Sequence, residues 1–410
     1  MTLRLGGLSD LDPATVPLPI GTEVTSRVER DGRLPGTYGR ITHLDGERFE
    51  VRFRDDTSAT YLRGEIMPRK LGIAHYAQGR TAAWDELRPC VVVDTIVGSR
   101  AWGLVNEDSD EDHRGIFVLP FPWTCGLVDP PVDLISADGS AQYWEIGKAI
   151  RQALRADPNT LEMLFAGANV VDPIAAPLVA MRTGFVSQEI YGSFGRYALS
   201  QLDRIDQNQR LSDHRAIVIS WLRDNPTLGI DAAAERLADV AHVEAPTRRD
   251  AVLRARDYLK QLCRSMYDEG HIAANDWVSL RVGAKHELPV PRDLRPKNAY
   301  NLVRLLDLAI RWLSGEPPDV RASEALKPTL LAIRAGEIAM GEVIQLAKEL
   351  TPKLEAAREK SPLPARADVG AADRVLHDIR AEAARRWTSL AQGPWGEQAP
   401  DAPQARFAED

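Results

Sequence analysis

Only three cysteines, Cys90, Cys125 and Cys263, occur in 410 residues, and none forms a C-x-x-C pair. That scarcity excludes a disulfide framework and a thiolate zinc site, and reads as reduced thiols in a cytoplasmic protein. No run approaches 18 apolar residues, so no membrane-spanning helix is expected, and the first residues lack the long apolar centre of a secretory signal. Excess positive charge is missing too: 51 Lys and Arg stand against 59 Asp and Glu, a formal net charge of −8. A global basic field for nucleic acid is thereby excluded, but a local basic groove is not, because a sum hides how charge is distributed. Sustained heptads and fixed-period repeats are also lacking, which excludes a coiled coil or a solenoid.

What is present divides into unlike regions, as expected for two or three domains at this length. Residues 1–15 read as a mobile polar lead-in. In residues 21–70, short β-branched runs alternate with the turn signals Asp31-Gly32, Pro35-Gly36 and Asp45-Gly46. "RFEVRF" points Phe49, Val51 and Phe53 to one side and charge to the other, as a half-buried strand should. The pattern resembles the SH3-like and Tudor-like barrels, which implies a small β-barrel over 16–72. Its Arg27, Arg40, Arg63 and Tyr61 could grip RNA or a protein tail, or form a solvated surface. Over 80–185 strands and helices alternate, with "IGKAIRQALRA" an amphipathic helix and "DPNTLEMLF" a second one opened by Pro158. Residues 186–385 are helical almost throughout, and 386–410 read as a disordered tail.

The chemistry concentrates at "VGSRAWGLVNEDSDEDHRGIFVLP", residues 97–120, where five acidic residues fall between Glu107 and Asp112. If Asp110 and Asp112 open the strand that continues to Leu119, period-two alternation projects them together. Carboxylates so placed repel unless a cation neutralises them, and oxygen-only ligands favour Mg²⁺ or Mn²⁺, usually shared with substrate phosphates. Upstream, "VVVDTIVGS" is a buried strand ending at Gly98-Ser99. A helix beginning there would present backbone N–H groups and a hydroxyl to a phosphate. The competing reading of the acidic cluster is a solvated turn.

These residues match a family pattern: an apolar residue, Gly-Ser, ten intervening residues, then Asp110-Glu111-Asp112, as in the DNA polymerase β-like nucleotidyltransferases. "GSRAWGLVNEDSDEDHRGIFV" resembles a bacterial subgroup of that superfamily, some of it associated with RNA-repair genes. "EIGKAIRQALRADPNTLEMLF", "RPKNAYNLVRLL", "LLAIRAGEI" and "EKSPLP" fit the same subgroup in order, over about residues 88–380. Departures are Glu111 and His113, where the superfamily is usually apolar, and Asn301, where the subgroup often has His and to which no role carries over.

The resemblance implies an α+β chain: a polymerase β-like palm with a mixed sheet at 80–185, then an all-helical domain at 186–385 that closes on the nucleotide. It implies two Mg²⁺ or Mn²⁺ ions held by three carboxylates: Asp110, Asp112 and an acid near the next strand. Glu145 is the choice, with Asp133 and Asp138 as alternatives; a Glu at a helix start equally complements the helix dipole. Glu162, within a helix, reads as structural. For the NTP, the candidates are Gly98, Ser99, Arg100, Lys148, Lys297 and Arg304. Arg100 could instead pair with Glu107 or Asp108, and Lys148 could be the wet face of its helix. Trp102 could stack a base or fill the core. The expected reaction moves a nucleoside monophosphate from an NTP such as ATP to an RNA hydroxyl, tRNA-like or a repair end. Protein NMPylation, a small-molecule acceptor, and nucleotide or RNA binding without turnover are the alternatives. A protein partner could dock on the barrel.

Overall fold

The computed structural model describes residues 14, 16, 18–53, 57–69, 83–84, 86–105, 109–125, 130–136, 139–241, 244–268, 271–272, 274–283 and 296–390. The lead-in before residue 14, residues 391–410 of the expected tail, and Glu107, Asp108 and Asp138 lie outside them. The chain divides into two compact units, residues 1–78 with 204–298, and residues 79–203 with 299–410.

The first unit opens with the antiparallel strands β1 (Glu23–Ser26), β2 (Tyr38–Asp45), β3 (Arg48–Arg52), β4 (Ser58–Leu62) and β5 (Ile66–Pro68), in sheet order β4-β3-β2-β1-β5. Alternation sets the register. Phe49 pairs with Tyr61 and Val51 with Ala59, and all four are buried with Val24, Ile41, Phe53 and Ile66. The sheet is antiparallel as expected, but it is not a closed barrel. Its edges, β4 and β5, are joined by a single 3-10 turn at Arg63–Glu65, and β5 has three residues ending on Pro68, which offers no N–H for closure. Of the residues expected to grip a ligand here, Tyr61 is fully buried, and Arg63 donates inward to the carbonyls of Val16 and Ile66.

In the second unit β6 (Val91–Val97), β7 (Asp112–Phe117), β8 (Asp133–Ile135), β9 (Ala141–Glu145) and β10 (Asn169–Val170) form a mixed sheet ordered β10-β6-β7-β9-β8. β7 runs antiparallel to β6 and parallel to β9. Two helices follow β9. The first, α1 (Ile146–Leu154), buries Ile146, Ala149, Ile150 and Ala153, the stripe its 3.6-residue period requires. The second, α2 (Pro158–Phe165), begins at the Asp157 cap, which accepts the Thr160 N–H at 2.9 Å, and carries Pro158 at its first position.

The α+β class with its helical remainder is as expected. α3 (Ala176–Ala180) follows in the same unit. Then come α4 (Tyr197–Asp224), α5 (Ile230–Val240), α6 (Arg248–Asp268) and α7 (Trp277–Gly283). Their buried residues, among them Val218, Leu237, Leu259, Leu262 and Met266, make a separate core. The chain continues through α8 (Pro296–Leu313), α9 (Lys327–Ala335), α10 (Met340–Glu359) and α11 (Val369–Leu390). Trp312 of α8 is fully buried against Phe165 and Phe194. Among the described residues no helix is long and apolar enough to cross a membrane.

Gly115 allows β6 and β7 to approach each other. A Cβ there would stand 1.9 Å from the Val93 carbonyl oxygen and 2.8 Å from the Tyr143 ring. Gly115→Ala must therefore part the two central strands, and is expected to cost about 3 kcal/mol. An unchanged urea midpoint would contradict that packing.

Candidate active site

The site is built where β6 ends and β7 begins. Val97, the last residue of β6, pairs with Asp112, the first of β7, so Gly98 emerges beside the Asp112 carboxylate. Gly98 takes φ +73°, and a Cβ on it would come within 3.1 Å of Asp112 Oδ2. Both constraints ask for glycine: the left-handed backbone is costly for other residues, and the absent side chain leaves the carboxylate open. The helix expected after Gly98-Ser99 is not there. Residues 98–103 are turns instead, closed by Trp102 N–H to Gly98 O at 3.1 Å and Leu104 N–H to Ser99 O at 2.9 Å.

Asp110 precedes β7 rather than opening it, and is exposed, whereas Asp112 is half-buried. Among the described residues, neither carboxylate accepts a side-chain hydrogen bond or forms an ion pair within 4.0 Å. Arg114, two residues on, turns its guanidinium to the carbonyls of His113 at 2.7 Å and Ser140 at 3.4 Å. Burial lowers its pKa while Asp112 opposes that shift, so a cation lies near Asp112 without neutralising it by contact. Arg100, exposed, spans the loop, donating to Ser109 O at 3.3 Å and standing 3.8 Å from Glu111. Among the described residues its acidic partner is Glu111; Glu107 and Asp108, the expected partners, lie outside them.

Of the remaining sequence-derived candidates, Glu145, Lys148 and Arg304 are engaged by other side chains. β9 runs parallel to β7 with Glu145 across from Phe117, five residues beyond Asp112 and roughly 16 Å along the strand. Glu145 is buried there as the cap of α1, accepting the Lys148 N–H at 3.1 Å and an Arg380 guanidinium at 3.1 Å. Lys148 holds the Asp133 carboxylate at 2.6 and 2.7 Å, occupying both the proposed phosphate ligand and an alternative metal ligand. Arg304 is buried against Glu162 at 2.8 Å. Lys297 is exposed in the first turn of α8. Among the described residues no group of three or more His, Cys, Asp and Glu could hold a metal. Asp110 and Asp112 are oxygen donors of the kind that suits a hard cation sharing its other positions with phosphate oxygens and water.

Two residues gain partners that the sequence did not indicate. His113, on the opposite face from Asp112, donates or accepts between Asp94 at 2.9 Å and Glu111 at 3.1 Å, and Tyr143 donates to the same Asp94 oxygen at 3.1 Å. Burial acts to lower the His113 pKa, but the two carboxylates outweigh it and the net shift is upward. A raised folded-state pKa stabilises the protein below the ordinary histidine value of about 6.5 and loses that contribution as pH rises through the folded value. His113→Gln should therefore lower the denaturation midpoint relative to wild type in acid, and the gap should close toward pH 8; a constant gap would contradict it. The second residue is Trp102, whose indole lies under the Arg304 guanidinium at 3.6 Å and donates to Glu162 at 2.8 Å. Tyr300 and Arg334 complete this group.

A glycine-serine turn thus faces an Asp-x-Asp segment where two antiparallel strands of a mixed sheet meet. Residues 84–220, a third of the chain, match the family model for the RNA repair pathway DNA polymerase beta family. That match supports the polymerase β-like nucleotidyltransferases of RNA repair, and transferase activity, for this segment. No curated protein and no solved structure matches the chain.

Proposed function

We propose that the protein is a metal-dependent nucleotidyltransferase that moves a nucleoside monophosphate from an NTP to a hydroxyl on RNA, releasing pyrophosphate. The observation that carries this reading is the register of β6 on β7, which sets Gly98 against Asp112, a carboxylate with no ion pair among the described residues. Gly98 and Ser99 are the phosphate-binding turn. Asp110 and Asp112 would hold Mg²⁺ or Mn²⁺, two ions in this reading. When bound, the metal neutralises charge on the phosphates and favours ionisation of the attacking hydroxyl. Arg100, exposed at the loop's rim, meets the triphosphate from outside. Ser99 contributes its hydroxyl and backbone N–H. A third carboxylate is assigned no role here: Glu145 and Asp133 are engaged elsewhere, and Asp138 lies outside the described residues.

RNA is favoured as acceptor by the RNA-repair description of the matching family. Incubation of the full chain with each α-³²P-NTP and Mg²⁺ or Mn²⁺, with and without total RNA, tests this. Label in RNA, absent from an Asp110→Ala/Asp112→Ala variant, is expected. Label entering protein instead would overturn the RNA acceptor but keep the transfer chemistry.

A further inference from the structure

The turn that carries Gly98 and Ser99 is too short to hold itself. One helical turn fixes several residues for few hydrogen bonds, which is unfavourable without outside support. That support comes from far along the chain, within the same unit. Arg334 of α9 donates to Leu104 O at 2.5 Å and to Ser109 Oγ at 3.2 Å, spanning both limbs of the loop. Ser109 immediately precedes Asp110. Trp102 is held on three sides: its N–H on Glu162, its ring under Arg304, and its carbonyl accepting the Ala322 N–H at 3.0 Å.

We propose that Arg334 and Arg304 are positioning residues that set the turn from Gly98 to Leu104 and the place of Ser109; that the turn so set receives a nucleotide's phosphates rests on the function proposed above. Neither arginine lies in the segment matched by the family. They act through Leu104, Ser109 and Trp102. A guanidinium suits Arg334 because two donors at fixed angles reach two acceptors at once, and lysine would satisfy one. Arg304 suits the Trp102 face because a planar, weakly hydrated cation stacks on indole while pairing with a carboxylate.

The amides of Trp102 and Leu104, each bonded within the turn, report the positioning directly. Hydrogen exchange on the full chain should show them about tenfold faster in Arg334→Gln, with Arg334→Lys intermediate, since hydrogen bonds to a charged group are lost. Amides of the β7–β9 ladder should be unchanged. Arg304→Gln/Glu162→Gln, which strands no charge, should speed the same two amides. Unchanged exchange at Trp102 and Leu104, or a uniform rise across the sheet, would overturn the proposal. Adding Mg²⁺ with a non-hydrolysable NTP should slow these amides in wild type, at a half-saturating concentration about tenfold lower than in Arg334→Gln. If nucleotide protects neither protein, the nucleotide reading fails, while the nucleotide-free comparison still decides the positioning.

Discussion

Asp112→Ala and Asp110→Ala are each expected to reduce nucleotidyl transfer at least about a thousandfold, some 4 kcal/mol of transition-state stabilisation. The fold should be untouched. Asp110 is exposed, and neither carboxylate is hydrogen-bonded by another described side chain, so no structural bond is lost with either. Exposed substitutions of that kind change stability by about 0.5 kcal/mol or less. Removing one of two neighbouring carboxylates also relieves repulsion when no metal is present. Glu145→Ala should behave in the opposite manner. It removes the α1 cap and leaves Arg380 without its carboxylate, so the denaturation midpoint should fall along with activity. Transfer assays beside urea titrations separate the two patterns. Asp112→Ala keeping a tenth or more of wild-type transfer would rule out its role as a metal ligand.

The second large effect is on stability. Arg304 and Glu162 are 5% and 9% exposed and meet at 2.8 Å, so either one alone would be a charge stranded in the core. Glu162→Ala or Arg304→Ala should cost about 3–5 kcal/mol. In a unit of this size that is a fall in Tm of about 10 °C. Arg304 Nε and Nη1 have no hydrogen-bond partner among the described residues, which leaves the Glu162 carboxylate and the Trp102 ring to balance its charge. Removing both charges together, as Arg304→Gln/Glu162→Gln, should recover most of the loss, because the penalty lies in the unpaired partner. Calorimetry of the three variants would contradict this account if the double change were as damaging as the sum of the single ones.

Local structure was the legible part of this chain. Gly98, Ser99, Asp110 and Asp112 lie within fifteen residues, and the apolar runs on either side place them at one end of a β-pair, although the helix expected after Ser99 is a run of turns and Asp110 precedes the strand. The strands β3 and β6 and the α1 stripe were legible for the same reason, since period-two alternation, a short apolar run and period 3.6 are local signals. Long-range partners were not. Lys148 and Arg304 have the charge to bind phosphate, and nothing in their neighbourhoods announces Asp133, 15 residues upstream, or Glu162, 142 residues upstream. Glu145 looked like the next acid in order, but strand direction decides which end of β9 it occupies, and a parallel β9 carries it away from Asp112. Barrel closure was likewise beyond local pattern, because it depends on the pairing of strands β4 and β5, the two edges of the sheet. Arg334 lay in the recognised "LLAIRAGEI" block without a role, since its acceptors, Leu104 and Ser109, are more than 220 residues away.

The central claim is the chemistry of transfer, and the most direct measurement is a paired reaction with α-³²P- and γ-³²P-labelled NTP under the same metal and acceptor. Retention of the α-label on the acceptor, with the γ-label appearing only in pyrophosphate in equal amount, is the predicted result. Transfer of the γ-label to the acceptor, or release of orthophosphate in place of pyrophosphate, would contradict it.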